Sequence, residues 1–169
     1  PEAGVLPLTE TVGIIGTTGW MDALAGDSRF IKYTIDWFLI KELRRLSGMK
    51  ERIEYFRKLT NESVLNIIQN LQSALEKYNT VYLLTHFPPW AEPEPESYEW
   101  VRRFWQPYNS NVTLGRALES EMLNHPDKNL VVLSGHIHSN IFMQISNNIQ
   151  CIINDAGYLN LSSGNLIYL

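Results

Sequence analysis

Three short apolar runs set the architecture of this chain. Thr11–Thr17 (TVGIIGT), Thr80–Thr85 (TVYLLT) and Asn129–Ser134 (NLVVLS) are rich in valine, isoleucine, leucine and threonine. Each has the length of a buried strand, not of a helix. Between them lie long stretches with apolar residues at helical spacing. Strands joined by such crossovers pair in parallel. After the third run the pattern changes. Ile141–Ile145, Ile149–Ile153 and Asn165–Leu169 read as further strands, with Asn147-Asn148 as a hairpin-type turn between the first two. The expected fold is α/β, a mixed sheet with a parallel part and an antiparallel end, flanked by helices.

The intervening stretches read as amphipathic helices. Asp36–Leu46 carries apolar residues at 39, 40, 43 and 46, and Gly48 is expected to end it. Met49–Leu59 reads as a second helix. Asn61 is a favourable N-cap for a third, whose stripe is Val64, Ile67, Ile68, Leu71 and Leu75. Leu114, Ala117, Leu118 and Met122 mark another, ended by His125-Pro126. Core packing accounts for all these stripes. The loop at 91–97 is rich in proline and glutamate. The aromatics Tyr98, Trp100, Phe104, Trp105 and Tyr108 that follow it pack against the helices, or form a lid that stacks on a base or aromatic leaving group.

The chain has 169 residues, 44% hydrophobic and 19% charged, which suits residues 1–169 as a single globular domain. A net charge of −4 gives no general attraction to nucleic acid or anionic membrane. No run approaches the roughly 18 apolar residues of a membrane span, and no signal peptide opens the chain. The lone Cys151, inside an apolar run, cannot form an internal disulfide and reads as a small buried side chain. The expected compartment is the cytoplasm. Gly16–Trp20 only superficially resembles a phosphate loop, because the Gly-Lys-Ser/Thr ending is missing.

The four histidines are His86, His125, His136 and His138. His125 sits beside a proline at a helix C-terminus, where an imidazole suits the dipole. His86 and His136 each follow an apolar strand directly. Ligands of open α/β sheets bind beyond the carboxyl ends of the strands, so neighbouring strands would bring these two together. His138 lies one residue beyond, and Gly135 lets the backbone turn sharply. Neutral imidazoles suit zinc, iron, manganese and related ions.

Thr85-His86-Phe87-Pro88-Pro89 and Gly135-His136-Ile137-His138 resemble the last two signature motifs of the calcineurin-like metallophosphoesterases, in order and after strands as in that family. Gly16–Trp20 and Asn154–Tyr158 resemble softer segments of bacterial and archaeal members. The resemblance implies a β-sandwich flanked by helices that holds two divalent metal ions (manganese, iron, zinc or similar). By position, His86 and His136 would ligate the second metal and His138 the first. The implied chemistry is hydrolysis of phosphate esters on a phosphorylated small molecule, nucleotide or phosphoprotein, with nucleic acid disfavoured.

The family's Asp-x-His, Gly-Asp and Gly-Asn-His motifs have no counterpart at the matching places, and the first residue is Pro1. The expectation is therefore that the chain is the C-terminal portion of such a domain. Three neutral imidazoles cannot offset the repulsion of two close dications, so this chain alone is expected to be a poor phosphoesterase. An open sheet edge would also favour self-association. Two other readings stay open: a non-catalytic scaffold of the same fold with an incomplete metal site, and an unrelated histidine metal-binding module.

Overall fold

The computed structural model describes residues 4–27, 29, 36–91, 99–137 and 140–154. In chain order its elements are β1 (Leu6–Pro7), β2 (Val12–Thr17), α1 (Asp36–Leu39), α2 (Lys41–Arg44), α3 (Met49–Leu75), β3 (Thr80–Thr85), α4 (Glu99–Asn109), α5 (Val112–Met122), β4 (Asn129–Ser134), β5 (Ile141–Ser146) and β6 (Ile149–Ile153). The strands form a six-stranded sheet of order β1-β2-β3-β4-β6-β5. β2, β3, β4 and β6 run parallel, while β1 and β5 are antiparallel edges. The chain is thus mixed α/β, as its pattern of apolar runs implies. The strand expected at 165–169 lies outside the described residues. No helix among the described residues is long and apolar enough to cross a membrane.

The step from β2 to β3 to β4 goes one way across the sheet. Right-handed crossovers that step in one direction lay their helices on one face. Accordingly α3 and α5 pack side by side, and their apolar stripes meet one face of the strands. Ile15, Val81, Leu83, Leu130, Val132 and Cys151 point into that interface and are fully buried. The alternate residues form the opposite face in two cross-strand rows, Ile14-Tyr82-Val131-Gln150 and Gly16-Leu84-Leu133-Ile152-Phe142. That face is apolar yet largely uncovered among the described residues. Leu84 is 44% and Phe142 61% exposed.

The helical expectations need four corrections. Met49–Leu75 is one helix of 27 residues, not two, and Asn61 is an exposed residue within it. The buried stripe Phe56, Thr60, Val64, Ile67, Leu71 runs through without a phase break, so packing outweighs the local capping preference. Gly48 starts α3 instead of ending the preceding helix, and the Glu51 carboxylate reaches back to the Gly48 N–H at 3.4 Å.

The single helix expected over 36–46 is two short turns split at Ile40, whose backbone is extended. The split lets Ile40, Leu43 and Leu46 pack with Phe56 in a second cluster, with Phe38 and Leu39 left outside. Helix α4 has no counterpart in the expected elements, where these residues read only as an aromatic cluster after a loop; it carries Pro107 in its final turn.

Candidate metal site

Strands β3 and β4 are neighbours in register, Thr85 opposite Ser134. The residues just beyond their ends are therefore brought together. The Gly135 N–H donates to the His86 carbonyl at 3.3 Å, extending the ladder by one rung. The chain then closes a three-residue turn, with the Ile137 N–H on the Gly135 carbonyl at 2.9 Å and φ of +69° at His136. Positive φ at the centre of such a turn is strained for a residue with a Cβ, and strain of this kind gathers at functional positions.

That turn aims the His136 ring at His86. His136 Nε2 lies 3.1 Å from the Tyr108 carbonyl oxygen. A carbonyl only accepts, so Nε2 carries the proton and Nδ1 of the neutral ring holds a lone pair. Nδ1 stands 3.2 Å from His86 Nε2. Two imidazole nitrogens at the usual metal–nitrogen distance of about 2.0–2.1 Å are roughly 2.9 Å apart at a right angle and roughly 3.4 Å apart at a tetrahedral one. The observed spacing falls between, which fits a pair of adjacent ligands on one ion. The same spacing also suits a hydrogen bond from His86 to His136 in the metal-free protein. The carbonyl behind His136 fixes ring tautomer and orientation, as is usual for histidine ligands.

Behind the imidazoles lies an aromatic wall. The Phe87 ring centroid is 4.2 Å from that of His136 and 4.9 Å from that of His86. Trp20 stacks on Phe87 at 6.4 Å and on Phe56 at 5.6 Å. Trp20 comes from the loop after β2, in the Gly16–Trp20 segment of the softer resemblance. Two backbone ties hold that loop. Thr60 Oγ donates to the Trp20 and Met21 carbonyls, and the buried Asp22 carboxylate accepts from the Thr113 N–H and hydroxyl at the start of α5. The buried Pro88 is pinned in turn, its carbonyl accepting the Asn111 N–H at 2.8 Å.

Of the three histidines expected to be metal ligands, His86 and His136 come together. His138 lies outside the described residues, as does Asp155. His125 is remote from them and meets Glu121 Oε1 at 3.2 Å, in keeping with a structural role at the helix end. Among the described residues no cluster of three or more histidine, cysteine, aspartate or glutamate side chains is arranged to hold a metal. Asp22 is engaged with Thr113 and Leu24. The donor set thus fits two imidazole ligands of an ion.

Phe87 and Trp20 fall within the segments that resemble the family, but their packing behind the imidazoles is not legible in the sequence, nor is the part of Tyr108. Tyr108 acts through its backbone carbonyl, which no side-chain pattern reveals. A groove lined by Glu119, Met122, Pro126, Asn147 and Asn148 lies at the other end of the strands and takes no part. No protein-family model matches the chain, and no curated protein matches it either.

Proposed function

We propose that this chain is the C-terminal portion of a calcineurin-like metallophosphoesterase domain, and that the intact protein hydrolyses phosphate esters. The observation that carries the reading is the convergence of His86 Nε2 and His136 Nδ1, 3.2 Å apart beyond the ends of adjacent parallel strands. These are the histidines of the two motifs that resemble the family. The sheet face left open among the described residues supports the finer architecture. Strands such as TVYLLT and NLVVLS are apolar on both faces, the pattern of parallel strands covered on both sides. A second sheet laid on Leu84, Leu133, Ile152 and Phe142 would make the sandwich that the family implies.

Two divalent ions, when bound, supply an acidified water and neutralise charge on the phosphoryl oxygens. The chain's own residues do the holding. His86 offers Nε2 and His136 offers Nδ1, with His136 Nε2–H donated to Tyr108. His138 is a third candidate ligand. Phe87, 7% exposed, packs against both rings. The substrate is a phosphorylated small molecule, nucleotide or phosphoprotein.

The test is Mn2+ titration and p-nitrophenyl phosphate turnover, with and without His86→Ala and His136→Ala. The 169-residue chain should bind Mn2+ weakly and turn over little. A longer polypeptide that contains it should turn over, and lose that activity with His136→Ala. Robust turnover by the chain alone, or Mn2+ binding indifferent to both substitutions, would overturn the reading. Binding without turnover in the longer polypeptide would favour the scaffold.

A further inference from the structure

We infer that Phe87, backed by Trp20, is a positioning residue that holds the His136 imidazole on the Tyr108 carbonyl. The consequence of this brace for metal affinity rests on the phosphoesterase reading above.

His136 sits on a backbone that does not hold its side chain by itself. Its φ of +69° is outside the regions that ordinary residues favour, and the turn is closed by the bond from the Ile137 N–H to Gly135. The ring leaves that turn half-buried. Phe87 packs on it at 4.2 Å and 45°, whereas His86 meets it edge-on at 75°. If the Phe87 ring were absent, the imidazole could rotate away from Tyr108, and Nδ1 would no longer point at His86.

Phe87 is itself clamped. Trp20 stacks on it at 6.4 Å and 26°, and Trp20 rests on Phe56 of α3 at 5.6 Å and 30°. Thr60, one turn after Phe56, bonds the Trp20 and Met21 carbonyls. The brace therefore runs from the longest helix through two aromatic rings to the strained turn. A row of packed rings spans the distance, with Phe56 and Phe87 buried.

The test uses the full chain and reads His136 directly. In the wild type, the Nε2–H held on Tyr108 should give an observable imidazole N–H resonance. In Phe87→Leu, which keeps an apolar side chain there, solvent exchange of that proton should rise at least about tenfold. The Mn2+ dissociation constant should rise about tenfold, the usual scale for loss of a residue supporting a ligand. Trp20→Leu should move both readouts the same way by less, and decides the matter if Phe87→Leu does not fold. The inference fails if the wild type shows no such resonance, or if folded variants keep its exchange rate. Changed exchange in a protein that never binds Mn2+ would leave the brace standing and remove the phosphoesterase reading instead.

Discussion

The carboxylate of Asp22 receives both the backbone N–H and the hydroxyl of Thr113, at 2.6 and 2.8 Å. Thr113 lies in the first turn of α5, whose cap Asn111 already serves the Leu114 N–H. Asp22 thus completes the cap from a distant loop, and its second oxygen holds the Leu24 N–H at 3.0 Å. Asp22→Ala removes a cap and leaves part-buried donors unmatched, so the expected loss is about 2 kcal/mol. Asp22→Asn, which keeps one acceptor, should lose about half as much by the same reasoning. Urea unfolding of both variants measures this, and equal stability of Asp22→Ala and wild type would refute the role.

Asn61 separates two descriptions of the long helix. As an N-cap it would cost about 1 kcal/mol to replace with alanine. As an exposed residue inside α3, Asn61→Ala should instead stabilise by roughly 0.5 kcal/mol, since alanine has the higher helix propensity. The sign of the shift in the unfolding midpoint decides.

Gly115 lets α5 approach the loop that carries His86. A Cβ there would run into the Pro89 carbonyl oxygen and come within 3.1 Å of Trp90 Nε1. The first of these is backbone, in a loop already tied through Pro88 to Asn111. Gly115→Ala gains about 1 kcal/mol of helix propensity but should lose more to overpacking, of order 1–3 kcal/mol. The expected result is a net loss of stability together with weaker Mn2+ binding through displacement of His86. Unchanged Mn2+ affinity in a folded Gly115→Ala protein would separate the loop from the site.

Cys151 predicts an alkaline limit. Burial pushes its thiol from the ordinary 9.0 up to about 11, the nearby Ser134 hydroxyl opposing slightly. The folded value is raised, so the stabilisation is complete below pH 9, where both states keep the proton. As pH rises from 9 to 11 the unfolded thiol ionises and the folded one does not, and up to about 2 kcal/mol of stability is lost. Cys151→Ala should flatten that part of the stability–pH profile. The thiol should also react with thiol reagents only as the chain unfolds. A profile of the same slope with and without the thiol would reject this account.

Much of the sheet is legible in the apolar runs themselves. Thr80–Thr85, Asn129–Ser134 and Ile149–Ile153 are strands at those residues, and the parallel part followed by an antiparallel edge appears as the spacing implies. Strand length, β-branching and turn residues are local properties, so a local pattern finds them. The two-residue edge β1 is too short to show a pattern. Helix boundaries are less legible because packing settles them. Asn61 looks like a start only until the stripe from Phe56 to Leu71 is seen to lie against one sheet face.

The same division holds at the candidate site. Residue identity and local pattern show which side chains are candidate metal ligands, because imidazole donors and the strands before them are properties of short segments. They also establish that His86 and His136 leave corresponding strand ends. That those strands are neighbours, and so that the two rings meet at 3.2 Å, is a property of the assembled sheet. So is the nitrogen of His136 that faces inward, set by the carbonyl of Tyr108, and so is the backing of the ring by Phe87 and Trp20. Those contacts join residues far apart along the chain. The order of residues records which groups are present, whereas distance and direction between remote groups arise only when the sheet and its helices pack.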